Sequence, residues 1–157
     1  MPGARILLVE DDAGLRDLIG RNLEAREHDV RFAADGESAL AQLRTTSFDL
    51  IVLDINLPDQ TGWEVLRTAQ REGWLRPREI DGDTQKFPVV VLSAVRVGPR
   101  RLAEFHPLAY LPKPFPMEAL LRLAAEAARR RNGSAVYGTE ETAGSENPQS
   151  NEEELYA

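Results

Sequence analysis

Four short aliphatic runs mark the chain: Ile6-Leu-Leu-Val9, Leu50-Ile-Val-Leu53, Val89-Val-Val-Leu92 and the shorter Ala109-Tyr-Leu111. A run that is apolar at every position suits a strand covered on both faces, which is the parallel-sheet pattern. Asp29 to Ala33, with Val30 and Phe32 alternating, is a weaker fifth strand. Between these runs the apolar spacing turns helical. Leu15, Leu18, Ile19 and Leu23 form one stripe, Ala39, Leu40 and Leu43 a second after the Asp35-Gly36 cap signal, and Trp63, Val65, Leu66 and Ala69 a third. The last helix opens at Pro116, turns Met117, Leu120, Leu121, Ala124 and Ala128 inward, and closes on Arg129 to Arg131, where cations suit the helix dipole. Strand and helix alternate about five times, which predicts an α/β fold with an open parallel sheet and right-handed crossovers.

Two stretches break the rhythm. Residues 73–87 contain a Pro, two Gly and a cluster of charges, and predict a surface loop or small hairpin. Between Val95 and Pro107, Gly98, Pro99 and Pro107 leave room for only a short fourth helix. Beyond Arg131 the aliphatics nearly vanish, so residues 132–157 are expected to be a disordered tail and 1–131 the folded domain.

Charge sharpens that boundary. The net charge is −7, from 26 acidic and 19 basic side chains. All six acids after Asn132 (Glu140, Glu141, Glu146, Glu152, Glu153 and Glu154) lie where there is no Lys or Arg, leaving 20 acids against 19 bases in the body. The acidity therefore belongs to the tail. A body of this size suits one domain and one core. The absence of cysteine excludes a disulfide framework, a Cys-ligated zinc site and thiol catalysis. No apolar run approaches the ~20 residues that span a bilayer. No apolar signal segment precedes the first strand, so a cytoplasmic protein without membrane contact is expected.

In a doubly wound sheet, functional groups gather at the carboxyl ends of the strands. Here those ends carry Glu10-Asp11-Asp12, Asp54 and Ser93, with Lys113 just after the last strand. Converging carboxylates repel, and a hard divalent cation with oxygen ligands, Mg²⁺ above all, relieves that repulsion. A lysine facing such a metal makes sense if further negative charge arrives, and phosphoryl is the obvious candidate. Asp54 would then be the nucleophile, with Ser93 donating to an equatorial oxygen. Taken singly, each residue also has a plain structural reading: Glu10-Asp11-Asp12 as a helix cap, Asp54 as a turn residue, Ser93 and Lys113 as incidental. Four such placements at strand ends are harder to explain as independent.

The segments VEDDAGLR (9–16), DLIVLDINLPDQTGWEVL (49–66), VVVLSA (89–94) and YLPKPF (110–115) resemble the four signatures of response-regulator receiver domains of two-component signalling. The resemblance runs from about Arg5 to Arg130, and its combination is specific where single pieces are weak. It implies a flavodoxin-like, doubly wound five-stranded parallel sheet of order 2-1-3-4-5 with helices on both faces. It implies Asp54 as phosphoacceptor, charged by a sensor histidine kinase or histidine phosphotransfer protein. By the same resemblance Mg²⁺ would be held by Asp11 directly, by Glu10 through water, by Asp54, and by the backbone carbonyl of Asn56. Asp12 becomes the cap of the first helix. Ser93 and Tyr110 would be the switch pair, and Lys113 the catalytic lysine before Pro114, where the family has a cis peptide bond.

Three features depart from the family pattern: the insertion at 73–87, the His106-Pro107-Leu108-Ala109 segment in place of a small dipeptide, and Ser93 in place of Thr. None removes a reacting group. The expected function is a stand-alone phosphorylation-dependent signalling switch, an acceptor rather than an enzyme. Its output would be an unidentified protein bound on the face of the fourth and fifth helices. A phosphorelay intermediate is the alternative, with a detached input module for a separate effector a weaker one. An aspartyl-phosphate phosphatase is disfavoured because Asn56 stands where a second carboxylate would be needed. No DNA-binding domain is evident, and the arginines at 96, 100, 101, 122 and 129–131 suit a protein partner better than nucleic acid. The glutamate tail is expected to screen those arginines. His28 and His106 have no ligand spacing and read as surface or loop residues; Trp63 and Trp74 read as packing groups.

Overall fold

The computed structural model describes residues 2–80 and 82–140. In chain order the elements are β1 (Arg5–Val9), α1 (Ala13–Glu24), β2 (Asp29–Ala33), α2 (Gly36–Thr45), β3 (Leu50–Asp54), α3 (Gly62–Arg71), β4 (Arg78–Ile80), β5 (Asp83–Ser93), α4 (Pro99–Phe105), β6 (Pro107–Pro112) and α5 (Met117–Glu140). The five strands expected from the aliphatic runs pair in parallel in the order β2-β1-β3-β5-β6, which is the 2-1-3-4-5 order of the sequence reading. The irregular 73–87 stretch resolves into a hairpin. β4 lies antiparallel to the first residues of β5, adding a sixth strand at the end of the sheet away from Asp54.

Alternation along each strand divides the core. Leu7, Val9, Ile51, Leu53, Val89 and Val91 face α2, α3 and Phe105 of α4, whereas Ile6, Leu8, Leu50, Val52, Val90 and Leu92 face α1 and α5. Both faces are thus sealed, and strands without polar positions have nowhere to sit but the centre.

Helix starts follow from local chemistry. Asp12 accepts from the Leu15 amide at 3.1 Å and caps α1, Asp35 accepts from Ser38 at 2.8 Å and caps α2, and Thr61 with Glu64 forms a capping box on α3. The short α4 begins at Pro99 and stops at His106, whose left-handed backbone (φ 45°) ends the helix.

Four sequence expectations change. Leu18 is 52 % exposed, because α1 packs through Ile19 and Leu23 and turns Leu18 outward. Phe32 is 40 % exposed, because β2 is an edge strand; its ring lies over Gly20, where an added Cβ would meet it at 2.6 Å. The last helix continues past Arg131 to Glu140, since no proline interrupts it before Pro148. Of the tail expected at 132–157, residues 141–157 lie outside the described residues.

His28 is the fourth. It is not a surface group but is buried, with Nδ1 accepting from the Ala4 amide at 2.9 Å, so that the α1–β2 turn holds the start of β1. Burial, assisted by nearby Arg26, lowers its pKa below the usual histidine value. The unfolded chain therefore binds the proton more readily. Stability is fully present above about pH 6.5 and declines as pH falls below it toward the folded pKa, by at most about 1.4 kcal/mol per pH unit. Urea unfolding at pH 7.5 and 5.5 should show this loss. His28→Asn keeps an acceptor for Ala4 without a titrating ring and should flatten it.

Candidate functional site

The carboxyl ends of β1, β3 and β5 meet at one edge because the three strands are neighbours in register, with Val9 opposite Leu53 and Asp54 opposite Leu92. Glu10 follows β1, and Asp54 and Ser93 close their strands. Lys113 comes just after β6, where its amide donates to the Ser93 carbonyl at 2.9 Å. The Lys113–Pro114 peptide is cis, as the family resemblance implied.

Lys113 Nζ bridges two buried carboxylates, lying 3.0 Å from Glu10 Oε1 and 3.2 Å from Asp54 Oδ2. The other oxygens of both acids are also engaged: Glu10 Oε2 accepts from the Asp12 amide at 3.2 Å, and Asp54 Oδ1 from the Asn56 amide at 3.1 Å. Burial raises the Glu10 pKa, and the Asp54 charge adds to that; the hydrogen bonds from Lys113 and Asp12 only partly oppose it. For Lys113, burial works against the ammonium, but Glu10 and Asp54 outweigh it and the pKa ends above its ordinary value. The lysine is therefore charged at any physiological pH.

Asp11 differs from both. It is exposed, and its carboxylate has no hydrogen bond or ion pair among the described residues. Carboxylate oxygens of Glu10, Asp11 and Asp54 all lie within 4.8 Å of one another. Three hard oxygen donors at that spacing fit a small divalent cation and suit neither a soft metal nor a thiolate-type site. Arg16 braces this corner, with Nη1 donating to the Glu10 carbonyl at 2.8 Å. Asn56 is exposed beside Asp54 and forms an isolated bridge to Thr61. Gly62 lets the start of α3 come this close: a Cβ there would meet the Asp54 carbonyl oxygen at 2.9 Å.

Ser93 is buried, and its hydroxyl donates to the Val95 carbonyl at 2.7 Å while accepting from the Val95 amide at 3.1 Å. The Tyr110 hydroxyl donates to the same Val95 carbonyl at 3.3 Å. The two hydroxyls singled out in the sequence thus share one acceptor on the loop after β5. Asp59 and Arg16 were missed. Asp59 ties the β3–α3 loop to the start of α2 by accepting from the Gly36 and Glu37 amides at 2.8 and 3.0 Å, and those bonds hold its pKa down. Neither carries a sequence signal, since both act through backbone groups distant along the chain or around a turn.

Comparison with known proteins shows the family and the fold. Residues 6–125 match the family model described as the response regulator receiver domain. The chain is 36 % identical over 134 residues to the response regulator protein PmrA of Pseudomonas aeruginosa, covering 84 % of this chain and 56 % of that protein. It spans about half the length of the curated relatives it matches. The receiver domain of the Francisella response regulator 1452 superposes with a TM-score of 0.66 at 25 % identity, covering 81 % of this chain and 98 % of that one. The response regulator TrrA of Thermotoga maritima, solved in complex with Mg²⁺-BeF, has the same fold, with a TM-score of 0.62 at 24 % identity over 81 % of this chain and 99 % of that one. Among the described residues no helix is long and apolar enough to cross a membrane.

Proposed function

This chain belongs to the response-regulator receiver domain family, and from that premise we propose that it is a phosphorylation-dependent signalling switch whose acceptor is Asp54. The observation that carries the reading is the Glu10–Lys113–Asp54 bridge beside the unpaired Asp11 carboxylate. The single lysine offsets only part of the charge of the two buried acids, and with Asp11 the cluster stays net negative, which leaves capacity for a metal on the Asp11 side and a phosphoryl group between metal and lysine.

In this reading Asp11, whose carboxylate is unpaired, and Asp54 would ligate Mg²⁺ directly, Glu10 would hold it through water, and the Asn56 carbonyl would complete the protein ligands. A Mg²⁺ held there would supply positive charge to the phosphoryl oxygens. The chain's own groups do the rest. Asp54 Oδ attacks phosphorus as the N–P bond of a donor phosphohistidine breaks, and the imidazole leaves with the electron pair. Lys113 turns from a carboxylate partner to a phosphoryl partner. Ser93 gives up Val95 to donate to a phosphoryl oxygen, which leaves the Val95 carbonyl to Tyr110 alone and couples the loop before α4 to the acceptor's state. The chain acts as acceptor and switch, not as an enzyme with turnover on a separate substrate.

The test is incubation with a small-molecule phosphodonor. One acid-stable, alkali-labile phosphoryl group per chain should appear with Mg²⁺ and vanish with chelator; equal labelling under both conditions would overturn the metal's role. Affinity capture with the beryllofluoride form against the free protein then reads the output. A partner retained only by the beryllofluoride form supports the switch, whereas rapid loss of the phosphoryl to a histidine phosphotransfer protein would make the chain a relay.

A further inference from the structure

At the end of β3 opposite Asp54, the chain between α3 and β4 folds against the end of α2 and encloses a cavity of about 520 Å³. Its floor is apolar, from Leu43, Phe48 and Leu75. Half-buried Trp74 forms a wall, and Arg44, Arg76 and Arg78 are exposed around it. No Asp or Glu lines it. Arg44 lies over the Trp74 ring at 4.7 Å and Arg78 donates to the Phe48 carbonyl, but none of the three arginines is paired with a carboxylate among the described residues. A pocket with an apolar floor and a polar rim of unneutralised arginines suits an acidic segment that ends in bulky apolar side chains.

The chain itself carries such a segment. Glu152-Glu153-Glu154 is followed directly by Leu155-Tyr156. Its point of departure is close. Arg131 at the foot of α5 is bound to Asp49 at 3.2 Å, and Arg78 lines both this cavity and the adjoining concavity shared with Arg130 and Arg131. From Arg131 the helix continues nine residues to Glu140, about 13 Å. The eleven residues from 141 to 151 then have an r.m.s. reach of roughly 17–20 Å as a flexible chain and about 36–40 Å at full stretch. The return path is long enough.

We propose that this arginine-ringed cavity is the docking site of the chain's own Glu152–Tyr156 segment. Leu155 and Tyr156 enter beside Trp74, and the three glutamates meet Arg44, Arg76 and Arg78. The tail's counter-charges are therefore at the foot of β3, not on the last helix, where Arg131 is already paired with Asp49. The site is built in part by the segment inserted before β5, and it lies a strand's length from the phosphoacceptor. Occupancy leaves acceptance of phosphoryl untouched and keeps the cavity closed to any other acidic, aromatic-ended peptide.

Acrylamide quenching of tryptophan in the full chain tests this, with Trp74→Phe supplying the background from buried Trp63. Acrylamide is neutral, so the arginines do not concentrate it. At low salt Trp74 should be shielded, and Glu152→Gln/Glu153→Gln/Glu154→Gln should raise its quenching constant about twofold or more. Raising salt to about 1 M, where the screening length falls to ~3 Å, should do the same to the unaltered chain. Arg76→Gln should reproduce the tail variant without affecting phosphoryl labelling. Trp74 quenching that is the same in the full chain, the tail variant and high salt would overturn the proposal. Shielding that grows with protein concentration would overturn it in favour of a second copy. A shift produced by inorganic phosphate but not by the tail variant would overturn it in favour of a small-anion site.

Discussion

Asp54→Asn is expected to reduce covalent phosphoryl incorporation to background, a loss of at least about a hundredfold, because an amide oxygen does not replace a carboxylate as nucleophile. The substitution is conservative in shape. Asn keeps a carbonyl oxygen that can accept from the Asn56 amide as Asp54 Oδ1 does at 3.1 Å, and the Lys113–Glu10 pair at 3.0 Å survives. What disappears is one of two buried negative charges and one of three carboxylates grouped within 4.8 Å. Mg²⁺ affinity should therefore fall as well, while resistance to urea in the absence of metal stays level or rises. Intact-mass measurement after donor treatment checks the first point, and metal titration followed by Trp emission the second. Labelling retained at the original level would remove Asp54 from the acceptor role. Labelling lost together with a collapse in urea resistance would point instead to a structural defect, and Ser93→Ala, which leaves all three carboxylates in place, is the comparison that separates the two.

The parts of this molecule readable in the sequence are those set by local chemistry or by burial on both sides. Leu50–Leu53 has no polar position, so only a central strand could use it, and it is fully buried. Asp12 precedes a helical stripe and caps it. Glu10, Asp54, Ser93 and Lys113 were placed at one edge by topology alone, and the structure brings them together. What stayed hidden depends on contacts between distant segments. His28 looks like any loop histidine until Ala4, 24 residues away, supplies the amide that buries it. Leu18 has the right spacing for an inward stripe, yet α1 covers the sheet with Ile19, Leu23 and partly buried Leu15 and leaves Leu18 outside. Arg16 works through backbone carbonyls, which no side-chain motif records. Residues 73–87 suit a surface loop or a small hairpin alike in the sequence, because the β4–β5 pairing is short and irregular.

The fold keeps two charge systems apart. At the carboxyl edge, acids outnumber the single lysine and invite cations. At the opposite edge, Arg44, Arg76 and Arg78 ring a cavity with an apolar floor whose lining holds no acid among the described residues. β3 connects the two, with Phe48 and Asp49 just before its start and Asp54 at its end. A rigid, fully buried strand holds both sites at a fixed distance, so changes at one need not disturb the other. In the proposed reading the route from acceptor to partner would run instead through the loop after β5, where the Ser93 and Tyr110 hydroxyls share the Val95 carbonyl.

Lys113→Ala is expected to have its largest effect without metal. It leaves Glu10 and Asp54, almost wholly buried, with no cation between them. Removing one partner of such a cluster typically costs about 3–5 kcal/mol; the lysine is 22 % exposed, so water can reach the gap and about 2–4 kcal/mol is the expected loss at pH 8. The pH dependence has a definite sign. In the unaltered chain the raised Lys113 pKa means its contribution is fully present below the unfolded lysine value and is lost only as pH rises through the still higher folded value. The deficit in the variant is therefore constant on the lysine side through neutral pH. It shrinks toward pH 5, because Glu10, whose pKa is already raised by burial, takes up a proton and no longer needs a counter-ion. Added Mg²⁺ should restore much of the loss by binding the folded form, and its affinity should hold or increase, since a competing positive charge has gone. Phosphoryl labelling should fall in the same variant even at saturating Mg²⁺, because the developing charge on the transferred group has lost its second cation. Urea unfolding at pH 5 and pH 8, with and without Mg²⁺, reads all of this but the labelling. A variant that loses Mg²⁺ affinity while keeping its metal-free stability would show that Lys113 supports the metal rather than balancing the buried acids.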